Sequence, residues 1–353
     1  MAGSSKRGQR SITQQLLMEN NFLISVVLPV FNGEKFLSKS IESVLNQTYR
    51  NIELIIVNDN SNDNTLNIAN QYAEKDSRVK IISNPVNKKL PASLNIGHNA
   101  CNGDFITWTS DDNFYESDAL KILLDNLLEN KADVLYSNFI LIDEKDQKIR
   151  EVTLSGIENL IFGNVIGCCF LYRKEVYERN KGYNESYFLI EDYDFWLRAS
   201  IHSKFYHSKR VLYNYRKHEE SLTSQIAVDE EKNLLWKKNM KAMFLGFWQN
   251  FSKNYSEMAD LSSKLLVFEK IDFDWLITNN KKIKEAKEQI IKNQNFSESR
   301  LIEDIFLKKT IEILIHEKNA KGNFLRSVFI TRNYFKALNI QYIKTLVKYS
   351  FFK

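Results

Sequence analysis

Through the first half of the chain, short apolar runs rich in β-branched residues alternate with stretches of helical periodicity. Leu23–Val30 is such a run and breaks at Phe31-Asn-Gly-Glu34. Phe36, Leu37, Ser40, Ile41, Val44 and Leu45 then recur at the spacing of one helix face. Ile52–Val57 repeats the apolar pattern and ends in Asn58-Asp-Asn-Ser-Asn-Asp-Asn-Thr65, which combines turn chemistry with helix-capping residues. A helix through Ala69 and Tyr72, a strand at Val79–Ile82, a polar turn at Asn87-Lys-Lys-Leu-Pro91 and a helix over Leu94–Ala100 lead to a further strand, Phe105–Trp108. Strands and helices alternating at this interval predict βαβ units. The expected fold is α/β, a mostly parallel sheet flanked by helices.

Beyond Trp108 the pattern predicts a helix over Ser117–Asn130 and a strand over Val134–Ile142, then loosens. Ile161–Tyr172 is apolar and punctuated by Gly163 and Gly167, and Lys174–Lys181 is a short helix closed by Gly182. Glu191-Asp-Tyr-Asp-Phe-Trp-Leu-Arg-Ala199 has Asp192 in a position that suits a helix N-cap. Tyr206–Tyr215 is strand-like and ends in Arg216-Lys-His-Glu-Glu-Ser-Leu-Thr-Ser224. After about Ala227 long helical patterns take over. The expected organisation is a flexible segment with a short helix over 1–21, an α/β domain over 22–226 and a helical region over 227–353. Asn323–Lys353 mixes Lys and Arg with Phe, Leu, Ile and Tyr at helical spacing. That mixture suits peripheral contact with an anionic membrane surface. It suits equally a helix packed on the body or on a second copy in a homo-oligomer.

Composition narrows the class. With 353 residues, 43% hydrophobic and 26% charged, the chain is ordinary globular material. A net charge of +5 is too small to argue for nucleic acid. Cys101, Cys168 and Cys169 lack metal-ligand spacing and read as buried thiols in a reducing cytoplasm. The first residues lack the apolar core of a signal peptide, and no apolar run reaches membrane-spanning length. The expected location is the cytoplasm, with possible peripheral contact at the inner face of the cell membrane. No Gly-x-Gly-x-x-Gly follows the first strand and no Gly-x-x-x-x-Gly-Lys occurs, so the usual dinucleotide and triphosphate loops are missing.

The candidate chemistry centres on Asp111 and Asp112. They follow the Phe105–Trp108 strand, and ligands collect at the carboxyl ends of strands in open α/β sheets. Adjacent carboxylates repel unless a cation or ligand donors neutralise them. Five stretches in order then carry a resemblance: Leu28-Pro-Val-Phe-Asn-Gly33, Ser43-Val-Leu-Asn-Gln-Thr-Tyr49, Glu53–Val57 with Asp59 and Ser61, Thr107–Asp112, and Glu191-Asp192 with Trp196 and Arg198. Together they resemble the family 2 glycosyltransferases, inverting, nucleotide-sugar-dependent enzymes with the Rossmann-like GT-A fold. The likeness runs from about Asn21 to Ser224.

That resemblance implies roles. Pro29, Phe31, Asn32 and Asp59 would form the nucleoside pocket, with Asp59 accepting from the uracil edge. Asn95 and Lys88 (or Lys89) occupy the stretch that lies along the nucleotide. Asp111 and Asp112 would take a ribose hydroxyl and a divalent cation, Mg²⁺ or Mn²⁺, with His218 as a further metal or diphosphate contact and Arg216 on phosphate oxygens. Asp192, with Glu191 beside it, would be the catalytic base for the acceptor hydroxyl. The donor would be a UDP-sugar, and the acceptor a glycan or lipid-linked glycan in the synthesis of a surface polysaccharide such as capsule or lipopolysaccharide. The chain departs from the family pattern at Asn58, Asn60, Thr109 and the glycine-free Lys88-Lys89-Leu90 turn. Those departures keep a non-catalytic nucleotide-sugar-binding module in view. A nucleotidyltransferase is a weaker alternative, because Pro29–Glu34 offers neither several glycines nor a cation.

Overall fold

In β1 (Ile24–Val30) and β2 (Ile52–Asn58) every residue is buried, as expected of strands covered on both faces. The structure, a computed structural model, describes residues 22–252, 254–316 and 323–351. The segment and short helix expected over 1–21 lie outside the described residues. β1 and β2 pair in parallel, Val26 opposite Leu54 and Val30 opposite Asn58. β3 (Val79–Ser83) extends the parallel set on β2, and β4 (Phe105–Trp108) extends it on β1. The crossovers are α1 (Leu37–Leu45), α2 (Thr65–Lys75) and α3 (Leu90–Asn99). Leu37, Ile41, Val44 and Leu45 of α1 are buried in one core with Leu28, Val30 and Ile56. α3 starts four residues before its expected first residue, Leu94, because Pro91 falls in its first turn, where a missing N–H costs nothing.

The rest of the sheet runs differently. Its strands are β5 (Phe114–Tyr115), β6 (Val134–Ile142), β7 (Lys148–Val152), β8 (Phe170–Arg173) and β9 (Phe205–Arg216), with helices α4 (Ala119–Glu129) and α5 (Lys174–Asn180). The order is β3-β2-β1-β4-β8-β6-β9-β5, with β7 on β6. β8 lies antiparallel to both β4 and β6, β7 to β6, and β5 to β9. The α/β expectation holds, but the sheet is mixed: β3-β2-β1-β4 is parallel, and β8 runs antiparallel between β4 and β6. A short turn joins β6 to β7, and so short a connection can only produce an antiparallel pair.

The chain packs as two compact units. The first holds the described residues up to Thr153, with Gly167–Glu185 and Tyr206–His218, and so nearly the whole sheet. The second takes Leu154–Ile166, Ser186–Phe205 and the described residues from Glu219 onward. It contains α6 (Glu191–Ser200), α7 (Leu222–Val228), α8 (Glu230–Gln249), α9 (Ser256–Leu266), α10 (Phe273–Ile290), α11 (Ser299–His316), α12 (Asn323–Asn333) and α13 (Ile340–Phe351). Phe244, Trp248, Met258, Phe273 and Phe306 are buried in it. α6 joins this unit through Tyr193, whose ring meets Phe244 edge-on at 5.8 Å and whose hydroxyl donates to the Leu160 carbonyl at 2.6 Å. The helix begins at Glu191 with Ile190 in the cap position. Asp192 is therefore a first-turn residue and not the N-cap expected from the sequence.

Candidate active site

The parallel strands end level with one another, so the loops after β1 and β2 are stitched together. Asp59 N–H donates to the Val30 carbonyl (2.8 Å), Asn32 N–H to Ser61 Oγ (3.0 Å) and Glu34 N–H to Asp63 Oδ2 (3.1 Å). Asn32 takes the left-handed backbone conformation, φ 53°, at the turn out of β1. Phe31 is exposed beside it and Pro29 is buried inside the strand.

Asp59 has a definite task. Its carboxylate accepts from Asn84 Nδ2 (2.8 Å), Lys88 N–H (2.8 Å) and Lys89 N–H (3.0 Å). Those bonds shape the 87–89 turn, where Lys89 has φ 72°. Three of roughly four acceptor positions on the carboxylate are thereby used. The Lys88 side chain is exposed. Buried Asn84, which also reaches Ser93 Oγ at 3.2 Å, was not anticipated from the sequence. Asn95 is engaged within the protein rather than held out to a ligand. Its Nδ2 donates to the Tyr183 carbonyl (2.9 Å) and Glu185 (3.0 Å), and its Oδ1 accepts from Tyr183 N–H (2.8 Å) and Tyr177 Oη (3.2 Å). An amide filled on both ends ties α3 to the loop after α5 and has no capacity left for a nucleotide.

The acidic loop follows β4. Thr109, standing where the family pattern has an acid, is buried and shares a 2.6 Å hydrogen bond with Tyr213 Oη. Asp111 packs onto Gly33: a Cβ built there would lie 2.1 Å from Asp111 Oδ2. Only glycine leaves room for this carboxylate, which makes Gly33 a site residue. Burial, and then the charge of Asp112, push Asp111 well above the usual carboxylate range. Asp112 Oδ2 is 2.8 Å from His218 Nε2, while Asp112 Oδ1 is buried and has no hydrogen-bond partner among the described residues.

Arg216 and His218 both converge on this loop. Arg216 is almost wholly buried, its side chain 2% exposed. Its Nε donates to the Asp112 carbonyl (2.9 Å), Nη1 to the Asp143 carbonyl (3.0 Å), and Nη2 pairs with Asp146 at 2.6 Å. The guanidinium also lies 4.3 Å above the Phe36 ring. A cation so enclosed is a brace for the acidic loop and is not presented to phosphate. His218 Nε2 shares a hydrogen bond with Asp112 Oδ2, and that contact raises the histidine's pKa. It orients the Asp112 carboxylate.

In the second unit, Glu191 is buried, and its Oε2 has no hydrogen-bond partner among the described residues. Burial, and then the neighbouring Asp192 charge, raise its pKa. Asp192 is partly exposed; its Oδ1 accepts from Tyr193 N–H (2.7 Å) and its Oδ2 from Asn164 Nδ2 (2.8 Å). Burial raises its pKa too, against those two hydrogen bonds. The Asp192 carboxylate is thus fixed from two sides. Asn164 lies in a glycine-punctuated run without periodicity and carried no signal in the sequence.

Residues 25–181 match the family model for glycosyl transferase family 2. An uncharacterized glycosyltransferase of Rickettsia typhi is 30% identical over 234 residues, 63% of this chain and 72% of that protein. The chain belongs to glycosyl transferase family 2. An uncharacterized glycosyltransferase of Rickettsia felis is 29% identical over 61% of this chain, which spans only 37% of that longer protein. Among solved structures, S. aureus TarS residues 1–349 in complex with UDP-GlcNAc superposes with TM-score 0.58 at 18% identity, covering 88% of this chain and 91% of that one. The GT-A fold is thereby shared.

The family 2 match carries β1 to α5 and the acidic pair, while Glu191, Asp192, Arg216 and His218 lie beyond it. Among the described residues, no three His, Cys, Asp or Glu side chains converge to hold a metal ion by themselves. The donor set fits a hard cation in a narrower way. Asp112 Oδ1 is a buried carboxylate oxygen lacking a partner among the described residues. Mg²⁺-type sites commonly take one or two carboxylates and complete their shell with water and substrate phosphate.

Proposed function

We propose that this family member is an inverting glycosyltransferase that moves a sugar from a UDP-sugar to a hydroxyl of a glycan or lipid-linked glycan, in the cytoplasmic assembly of a surface polysaccharide. The observation that carries the reading is Asp112 Oδ1, buried without a partner in a loop braced by Arg216 and His218. A buried carboxylate oxygen left bare costs several kcal/mol in principle, which a bound cation would relieve. The complexes of S. aureus TarS 1–349 with UDP-GlcNAc and with UDP support a uridine nucleotide as donor.

In this reading the loops at 31–34, 59–64 and 87–89 seat the nucleoside, with Asp59 setting the shape of the last. Mg²⁺ or Mn²⁺ on Asp112 Oδ1 would offset the charge left on the departing diphosphate. Asp192 removes the acceptor hydroxyl proton, and that oxygen forms a bond to the anomeric carbon as the bond to the diphosphate breaks. Attack from the face opposite the leaving group inverts the centre. Asn164 keeps the Asp192 carboxylate in one orientation.

The test is calorimetric titration of the full chain with UDP, dTDP and GDP, each with and without Mn²⁺, followed by a screen of UDP-sugars for UDP release. UDP binding that depends on Mn²⁺ and on Asp112 is the expected result. Failure of every nucleotide to bind would overturn the reading.

A further inference from the structure

We propose that α12 and α13 form a docking surface for an anionic membrane, on which the protein lies without crossing it. α13 turns one face to its own unit and leaves an apolar stripe beside that face uncovered. Leu346 is buried, Ser350 Oγ donates to Ser327 Oγ on α12 at 2.7 Å, and Tyr342 Oη donates to Asp304 on α11 at 2.9 Å. The uncovered stripe, Ile340, Ile343 and Val347, recurs at one-face spacing and is exposed, Ile340 to 74%. Leu325 on α12 and Phe335 in the connection are 71% and 76% exposed. Isolated exposed apolar residues need no explanation; a run of them along two successive helices does.

Charge identifies what covers this stripe. Past Glu317 the sequence contains no Asp or Glu, yet Arg332, Lys344 and Lys348 on the same two helices and Lys336 in their connection are exposed. Among the described residues none of the four pairs with an acid, whereas Arg326 is held by Asp274 at 3.2 Å. At 100° per residue, Lys344 and Lys348 both border the stripe made by Ile340, Ile343 and Val347 along one side. A second copy of the chain would bring the same basic border against this one, because a two-fold interface meets itself. A nucleic acid would satisfy the cations and leave the aliphatic side chains wet. An anionic bilayer satisfies both: apolar side chains enter the headgroup boundary and lysines meet lipid phosphates. No helix among the described residues is long and apolar enough to cross a membrane, so the contact is lateral. This inference does not depend on the transfer reaction.

The experiment is co-sedimentation of the full chain with vesicles of phosphatidylcholine alone and with added phosphatidylglycerol, at low and high salt. Capture by the anionic vesicles only, weakened by salt, is expected. The triple variant Lys336→Gln, Lys344→Gln, Lys348→Gln should bind on the order of a hundredfold more weakly, at roughly a factor of five per charge. The pair Phe335→Ser, Ile340→Ser should also lose binding. All five positions are exposed, and unchanged thermal unfolding of the variants would show that their fold is intact. Indifference of the wild-type chain to anionic vesicles would overturn the proposal. So would vesicle binding that both variants retain, or a dimer in sedimentation velocity that the serine variant dissolves while vesicles capture nothing.

Discussion

Arg216 Nε donates to the main-chain carbonyl of Asp112 at 2.9 Å, so the last residue of β9 holds the acidic loop by its backbone. The same guanidinium reaches the Asp143 carbonyl and the Asp146 carboxylate. Lysine, with a single nitrogen, cannot span these three partners. Arg216→Lys and Arg216→Met should each lose about 2–3 kcal/mol of stability, below the usual cost of breaking a fully buried pair because Asp146 is partly solvated. Urea denaturation reads the loss. An arginine whose work was phosphate binding would leave stability unchanged and weaken only UDP.

Asp112 and His218 should separate in their dependence on metal. His218 already donates to Asp112 Oδ2, and only Oδ1 is bare. Asp112→Ala should abolish the Mn²⁺ dependence of UDP binding. His218→Gln, which preserves a donor, should keep that dependence with affinity reduced less than about tenfold, the scale of an outer-shell change. Titration of both variants with UDP, with and without Mn²⁺, decides. Complete loss in His218→Gln would restore the histidine as a direct ligand.

Most of the parallel half of the fold was legible because its signals are local. Ile24–Val30 and Ile52–Asn58 are unbroken apolar runs, and α1 has one clean apolar face. β8 escaped notice because four residues are too few for a period to show, and the apolar stretch leading to it divides. Ile157–Phe162 folds as a 3₁₀ helix in the second unit, while Phe170–Arg173 becomes a strand of the first. The positions of Asp111, Asp112, Arg216 and His218 were readable from motif order, but their partners were not. Whether an arginine meets a phosphate or a buried carbonyl is decided by residues as distant as Asp143, and one sequence does not say which they are.

In the second unit, Glu191 and Asp192 are adjacent carboxylates with different prospects. Glu191 is buried and destabilised as an anion by both burial and Asp192, so of the pair it is the one that favours the protonated form. Gln copies a protonated Glu closely. Glu191→Gln should therefore keep activity within about tenfold, whereas Asp192→Asn should lose between about a hundredfold and ten-thousandfold in kcat. Asn164→Ala removes one of the two bonds that hold Asp192 and should lower kcat by roughly tenfold with little change in KM. Steady-state kinetics on the three variants checks this. Equal losses in Glu191→Gln and Asp192→Asn would mean that the proton sits on the other carboxyl.

His98 makes the first unit sensitive to acid. Its Nδ1–H donates to the Leu94 carbonyl at 2.7 Å, which leaves Nε2 to accept from Tyr172 Oη at 2.6 Å. Tyr177 stacks on the ring at 4.8 Å, and burial pulls the pKa down to about 4. In the unfolded chain the ordinary value is about 6.5. Between these two values the unfolded chain binds a proton that the folded chain refuses, so stability falls as pH drops from about 6.5 and levels off below about 4. The difference is worth roughly 3 kcal/mol. Above pH 6.5 this group contributes no slope. Urea denaturation from pH 4 to 7.5 on wild type and His98→Gln should show the variant's curve shallower by that amount across this window, with the carboxylate contributions common to both. Parallel curves would show that the ring takes its proton without leaving the folded core.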